Sequence, residues 1–271
     1  MYKKFIVPIF LIVSLSSCKG YESYLKDPDP NKRLTHANEY YEKKGWYKAN
    51  TLYASLIPTV RNTKNHEELL YRYAYTFYNQ KDYLSASYQF RTFVDNFPTS
   101  KRAEECEFMF AKSLYKDAPG FTFDQTSTIK AMSAIYSFIS IYKNSEFTQE
   151  ANKMLDECSE RLEKKDAGAA KLYFDMDQYK AAKVAYNSTI NEYPESLNAD
   201  YYHYMIVKSD FLYAKRSTLS KQEERYNDVL ASFNTLKELY PQSKYVTISS
   251  SMVNEVNQQI QKIKNKNNEH N

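Results

Sequence analysis

Glycine is scarce in this chain. Its 271 residues hold four, beside one tryptophan, three cysteines and four histidines. With no alternating strand pattern either, helix is left as the element that builds it. No Gly-rich loop is present to cradle a phosphate, and no Ser/His/Asp order or paired-cysteine motif occurs, so nothing marks an enzyme. His36, His66, His203 and His270 are scattered without metal-ligand spacing, so no metal is expected. Net charge is only +4, and two of the positives, Lys3 and Lys4, lie at the extreme N-terminus. Apart from a Lys/Asn-rich end, no basic cluster stands out from the acids around it, which argues against nucleic-acid binding.

Tyrosine, by contrast, is abundant, with 27 residues. Many stand in a spacing that recurs: an aromatic, a small residue three later, a bulky one four after that, and proline eight further on. It reads Tyr83, Ala86, Phe90, Pro98; then Tyr179, Ala182, Tyr186, Pro194; then Tyr226, Val229, Phe233, Pro241. Trp46, Ala49 and Tyr53 hold the same register with Arg61 in the proline slot. Thr128, Ala131 and Ile135 repeat it more weakly, with Lys143 there. Ala37, Ala74 and Ala170 each precede the first aromatic of a copy by nine residues. Five copies in one register predict an all-α solenoid of about five helix pairs.

The physics of the spacing is direct. Alanine lets two helices approach closely and the aromatic fills the space beside it. Proline ends the second helix because it lacks an N–H and disfavours a helical residue before it. Ser100, Ser145, Ser196 and Ser243, two residues past each proline slot, are natural N-caps for the next helix. This register resembles the tetratricopeptide repeat. The third copy departs through a longer inter-helix loop at Lys116 to Thr126, and a charged stretch from Glu150 to Lys165 predicts an added or extended helix before the fourth. The tyrosines suit solenoid positions where a ring is buried and its hydroxyl reaches water; a stacking or peptide-binding surface is the other use for them.

Residues 1–17 (MYKKFIVPIFLIVSLSS) carry two lysines, an apolar run and small residues, the pattern of a secretory signal too short to span a membrane. The leader ends in Leu15-Ser16-Ser17-Cys18, which resembles a bacterial lipobox and implies a lipid on Cys18, with no other cofactor. Lys19 follows that cysteine, where an aspartate would signal retention, which implies the outer membrane with the domain facing the periplasm. Residues 18–33 then read as the lipidated cysteine and a tether reaching about 50 Å at most, 34–261 as the solenoid, and 262–271 as a frayed polar tail. Cys106 and Cys158 fall in predicted helices and read as core thiols, although two thiols in an oxidising compartment could also pair.

A lipid tether, five repeats, a long loop in the third and extra helix before the fourth together resemble the BamD family of outer-membrane assembly lipoproteins. The segment from Arg161 to Ser196 carries the best local likeness. The resemblance implies a non-catalytic scaffold that helps fold and insert outer-membrane β-barrel proteins. It implies two protein partners: the periplasmic domains of the central barrel-assembly protein, held by the C-terminal repeats, and the targeting strands of unfolded clients, received by the N-terminal ones. In this repeat type the residue after the helix-A alanine and the one three further on face the concave side. These are Asn38 and Tyr41, then Tyr75 and Tyr78, with Tyr71 one turn up the same stripe and Arg72 placed to pair with a peptide carboxylate. The stripe serves equally well as packing between helices. Lys208, Phe211, Arg216 and Arg225 are candidates for the partner contact on the family's C-terminal interface alone. Other functions consistent with the chain are a periplasmic repeat lipoprotein that coordinates envelope or cell-wall proteins, and a glycan-binding lipoprotein using tyrosine platforms.

Overall fold

Proline ends the helices of three copies as the spacing predicts, whereas the Trp46 copy carries Pro58 inside its helix and closes on Arg61. In the computed structural model Phe97, Tyr193 and Tyr240, just before Pro98, Pro194 and Pro241, close their helices in a non-helical conformation with φ between −134° and −125°. Tyr142 takes a similar conformation before Lys143. Each of the four still donates its N–H to the carbonyl four residues back: Phe93, Phe138, Thr189 and Leu236. The chain can therefore leave the helix without orphaning that donor.

The structure describes residues 20–61 and 63–269. The leader and Cys18 lie outside the described residues. Among those described no strand occurs. A helical turn at residues 20–25 precedes α1 (Pro30–Glu42), α2 (Trp46–Val60), α3 (His66–Asn79), α4 (Tyr83–Asn96), α5 (Ala103–Asp117), α6 (Thr126–Ile141), α7 (Thr148–Asp175), α8 (Tyr179–Glu192), α9 (Ala199–Lys215), α10 (Leu219–Leu239) and α11 (Lys244–Glu269). The charged stretch before the fourth aromatic copy is one extended helix, the 28-residue α7. These helices form two compact units, one ending at Cys158 and one starting at Ser159. Within the first, each helix from α1 to α6 packs on the next; within the second, α8 to α11 do so, and α9 also meets α11. This is the tetratricopeptide-like helical solenoid.

The register residues sit where the spacing puts them. Ala37, Ala49, Ala74, Ala86, Ala131, Ala170, Ala182 and Val229 are fully buried, as are Tyr53, Phe90, Ile135 and Tyr186. Cys106 and Cys158 are buried thiols of the first unit's core. Burial pushes the Cys106 thiol up, leaving it a poor nucleophile.

The serines past the proline slots behave partly as expected. Each hydroxyl accepts a backbone N–H two residues on: Arg102, Phe147, Asn198 and Tyr245. Only Ser243 directly precedes its helix; α5, α7 and α9 start three residues after their serine. Three of the hydroxyls also donate to a carboxylate on an earlier helix: Ser100 to Glu67 at 2.6 Å, Ser196 to Glu163 at 2.6 Å and Ser243 to Asp200 at 2.7 Å. Each of these loops is thus tied to a first helix of the preceding repeat.

Both ends carry more helix than the polar composition predicts. The stretch read as a tether turns helical at residues 20–25, and α1 opens at Pro30 on an Asp29 cap that accepts the Asn31 N–H. Aromatic anchors fix this stretch in place of an apolar period: Tyr24 stacks on His36 at 3.6 Å and Tyr21 packs edge-on to Tyr40 at 5.7 Å. At the other end α11 runs to Glu269, because Val256, Ile260 and Ile263 repeat at helical spacing and pack on the second unit's core.

Candidate functional site

Three first helices of the first unit carry a connected set of rings and charges. From α3, Arg72 donates to Glu68 one turn before it and, at 2.7 Å, to Glu42 on α1. Its guanidinium also lies 4.9 Å from the Tyr41 ring centroid. Arg102, just before α5, donates to the same Glu68 and stacks 4.3 Å over the Tyr71 ring. Glu105 on α5 accepts the hydroxyls of Tyr71, at 2.9 Å, and of Tyr75. Asn38 on α1 accepts the Tyr53 hydroxyl at 2.7 Å, and Tyr53 meets Tyr41 edge-on.

The electrostatics follow from these contacts. Burial pushes Glu68 up, but the hydrogen bonds from Arg72 and Arg102 outweigh it and hold the carboxyl below the usual range. Burial first, and the Glu105 carboxylate second, push the Tyr71 and Tyr75 hydroxyls well above the phenolic range, so both stay protonated donors. Two arginines meet two carboxylates here, Glu42 and Glu68, while a third, Glu105, holds the tyrosine hydroxyls. Of these acids Glu42 is the loosest, its side chain 67 % exposed against 41 % for Glu68.

The structure thus brings Asn38, Tyr41, Tyr71, Arg72 and Tyr75 into one connected set across α1 and α3, completed from α5. Tyr78 lies one turn on, edge-on to Tyr83 at 5.4 Å and Phe90 at 6.5 Å. Arg72 has two carboxylate partners already. Glu42, Glu68, Arg102 and Glu105 complete the face without being singled out by the sequence. The Glu68–Arg72 pair is legible at i, i+4; Glu105 and Arg102 become partners only once α5 stacks on α3.

In the second unit, Lys208 lies 5.1 Å over the Phe174 ring. Arg216 pairs with Asp177 at 2.8 Å and lies over Tyr179 at 5.0 Å. Arg225 donates to Ser217 and stacks over Tyr213 at 4.2 Å. Phe211 belongs to the core, 7 % exposed, so its ring packs inward with Val207 and Val229. Among the described residues no helix is long and apolar enough to cross a membrane.

The fold defines a helix-pair repeat protein, with polar and aromatic side chains clustered on the first helices of its first unit. The chain belongs to the outer membrane lipoprotein family YfiO, whose model matches residues 26–196 and again 169–266. It is also similar to a protein of Aquifex aeolicus (strain VF5) that bears the name of an outer membrane protein assembly factor, BamD. The two are 27 % identical over 213 residues, covering 73 % of this chain and 67 % of the relative.

Proposed function

We propose that this chain is a non-catalytic scaffold for assembling β-barrel proteins of the outer membrane, held there by a lipid on Cys18 with its helices facing the periplasm. The observation that carries the reading is the family match across both units, joined to the assembly-factor name of the Aquifex relative. In this reading the second unit holds the periplasmic domains of the central barrel-assembly protein through Lys208, Arg216 and Arg225. The first unit's face receives the aromatic C-terminal strand of an unfolded client. Client rings pack against Tyr41 and Tyr71, and the client's terminal carboxylate displaces the exposed Glu42 from Arg72, leaving Glu68 in place to hold the guanidinium flat. Apolar burial and ordering of the strand drive capture, with no nucleotide required.

Site-specific photo-crosslinking tests this directly. A photoreactive residue at Asn38 or Tyr41 should capture the C-terminal strands of newly exported barrel proteins, and one at Tyr88, exposed on α4, should not. Equal capture at all three positions, or none at Asn38 and Tyr41, would overturn the assignment of this face.

A further inference from the structure

The turn between α1 and α2 presents exposed lysines that neither the repeat packing nor the client face uses, beside rings that belong to both. A shallow hollow of about 600 Å³ there is lined by Tyr40, Lys43, Lys44, Trp46, Tyr47 and Lys48, with Gln80 from the α3–α4 turn. Tyr47 is 72 % exposed, and Lys43 and Lys44 are exposed too. Lys81 follows Gln80 and is exposed as well. Among the described residues none of Lys43, Lys44 and Lys81 enters an ion pair. The neighbouring acids are engaged elsewhere: Glu42 is held by Arg72 and Asp82 caps α4 by accepting the Ser85 N–H.

Two of these lysines sit on tight turns. Lys44 and Lys81 both adopt positive φ, 58° and 63°, a conformation that suits glycine or asparagine better. Gly45 closes the first of these turns, its N–H donating to the Tyr40 carbonyl at 2.7 Å, where a Cβ would meet that oxygen at 3.2 Å. Both lysines are exposed on these turns.

Chain length and charge complementarity say what covers the hollow. Tyr21 packs on Tyr40, and the Lys48 ammonium lies over both rings at 5.5 and 5.2 Å. Cys18 stands three residues before Tyr21, so at most about 10 Å of chain separates an acyl anchor on it from a ring that packs on the hollow's Tyr40. Trp and Tyr favour the headgroup level of a membrane, and lysines beside them favour an anionic surface. We propose that this edge of the first unit is a lipid-contact surface that binds the anionic phosphate headgroups of the membrane holding the anchor. The proposal takes its geometry from the lipid reading of Cys18.

The test uses the chain from residue 18 to 271 with Cys18→Ser, which carries no acyl chain, and vesicles of phosphatidylglycerol with phosphatidylethanolamine against phosphatidylcholine alone. Trp46 is the one tryptophan of the chain, so its emission reports on this edge. Binding to the anionic vesicles with a blue shift of Trp46, quenched by brominated lipid, is expected. Lys43→Ser, Lys44→Asn and Lys81→Asn together should weaken it on the order of 100-fold, at about fivefold per lysine, while Lys221→Ser and Lys237→Ser in the second unit leave it unchanged. Asparagine suits the positive φ, and the circular-dichroism melting curve should match that of the parent. No anionic preference, no change at Trp46, or unchanged binding by the triple variant would overturn the proposal. The anchor is read separately, by whether native chain but not Cys18→Ser resists carbonate extraction from membranes, so the two readings fail independently.

Discussion

Glu105 shows how much one residue holds together on the first unit's ring-and-carboxylate face. It accepts two tyrosine hydroxyls, and its removal leaves both donors half-buried without a partner. Glu105→Ala should therefore lower stability by about 1–3 kcal/mol, measured by urea unfolding. Adding Tyr71→Phe and Tyr75→Phe should restore much of that loss, because no polar group is then stranded. Glu163 gives a pH-dependent counterpart. Burial raises its pKa, but hydrogen bonds from Ser196, Tyr202 and Asn198 outweigh this and leave it below the ordinary 4.5. A carboxyl depressed in the folded state contributes stability that is full above pH 4.5 and is lost as pH falls through the folded value. Glu163→Gln keeps an acceptor oxygen and should flatten the fall in stability below pH 4.5; parallel acid-unfolding curves would show that Glu163 does not supply it. Glu107 runs the other way. Its burial, stronger than the help from Arg91, holds its carboxyl above the usual range and disfavours the charged fold as pH rises past 4.5.

At the scale of the element, helix pairing follows the alanines. Ala86 and Ala182 are fully buried at their crossings. Leucine at either should overpack the crossing and cost about 1–3 kcal/mol by thermal or denaturant unfolding, and unchanged melting would place the register elsewhere. The five pairs, the extended α7 and the third-repeat loop were legible because each is written in local spacing or charge. The helical ends were not. Tyr21 and Tyr24 secure residues 20–25 by meeting Tyr40 and His36 on α1, partners no local period reveals. In α11, the polar residues around Ile263 masked the last member of an apolar stripe, with Val256 and Ile260, that only the second unit's core explains. Likewise the stripe of Tyr71, Tyr75 and Arg72 was readable on α3, whereas their acceptors Glu105 and Glu42 come from helices 30 or more residues away.

Across the whole molecule, two repeat-built units carry different surfaces: a ring-and-carboxylate face in the first, and arginines stacked on tyrosines in the second. The family match covers both units. The most direct measurement is a mild-detergent pull-down of the C-terminally tagged full chain from its own outer membranes, with partners identified by mass spectrometry. The account predicts stoichiometric recovery of a large barrel protein with several periplasmic domains, diminished by Arg216→Glu with Arg225→Glu. Recovery of cell-wall or division proteins alone would contradict it.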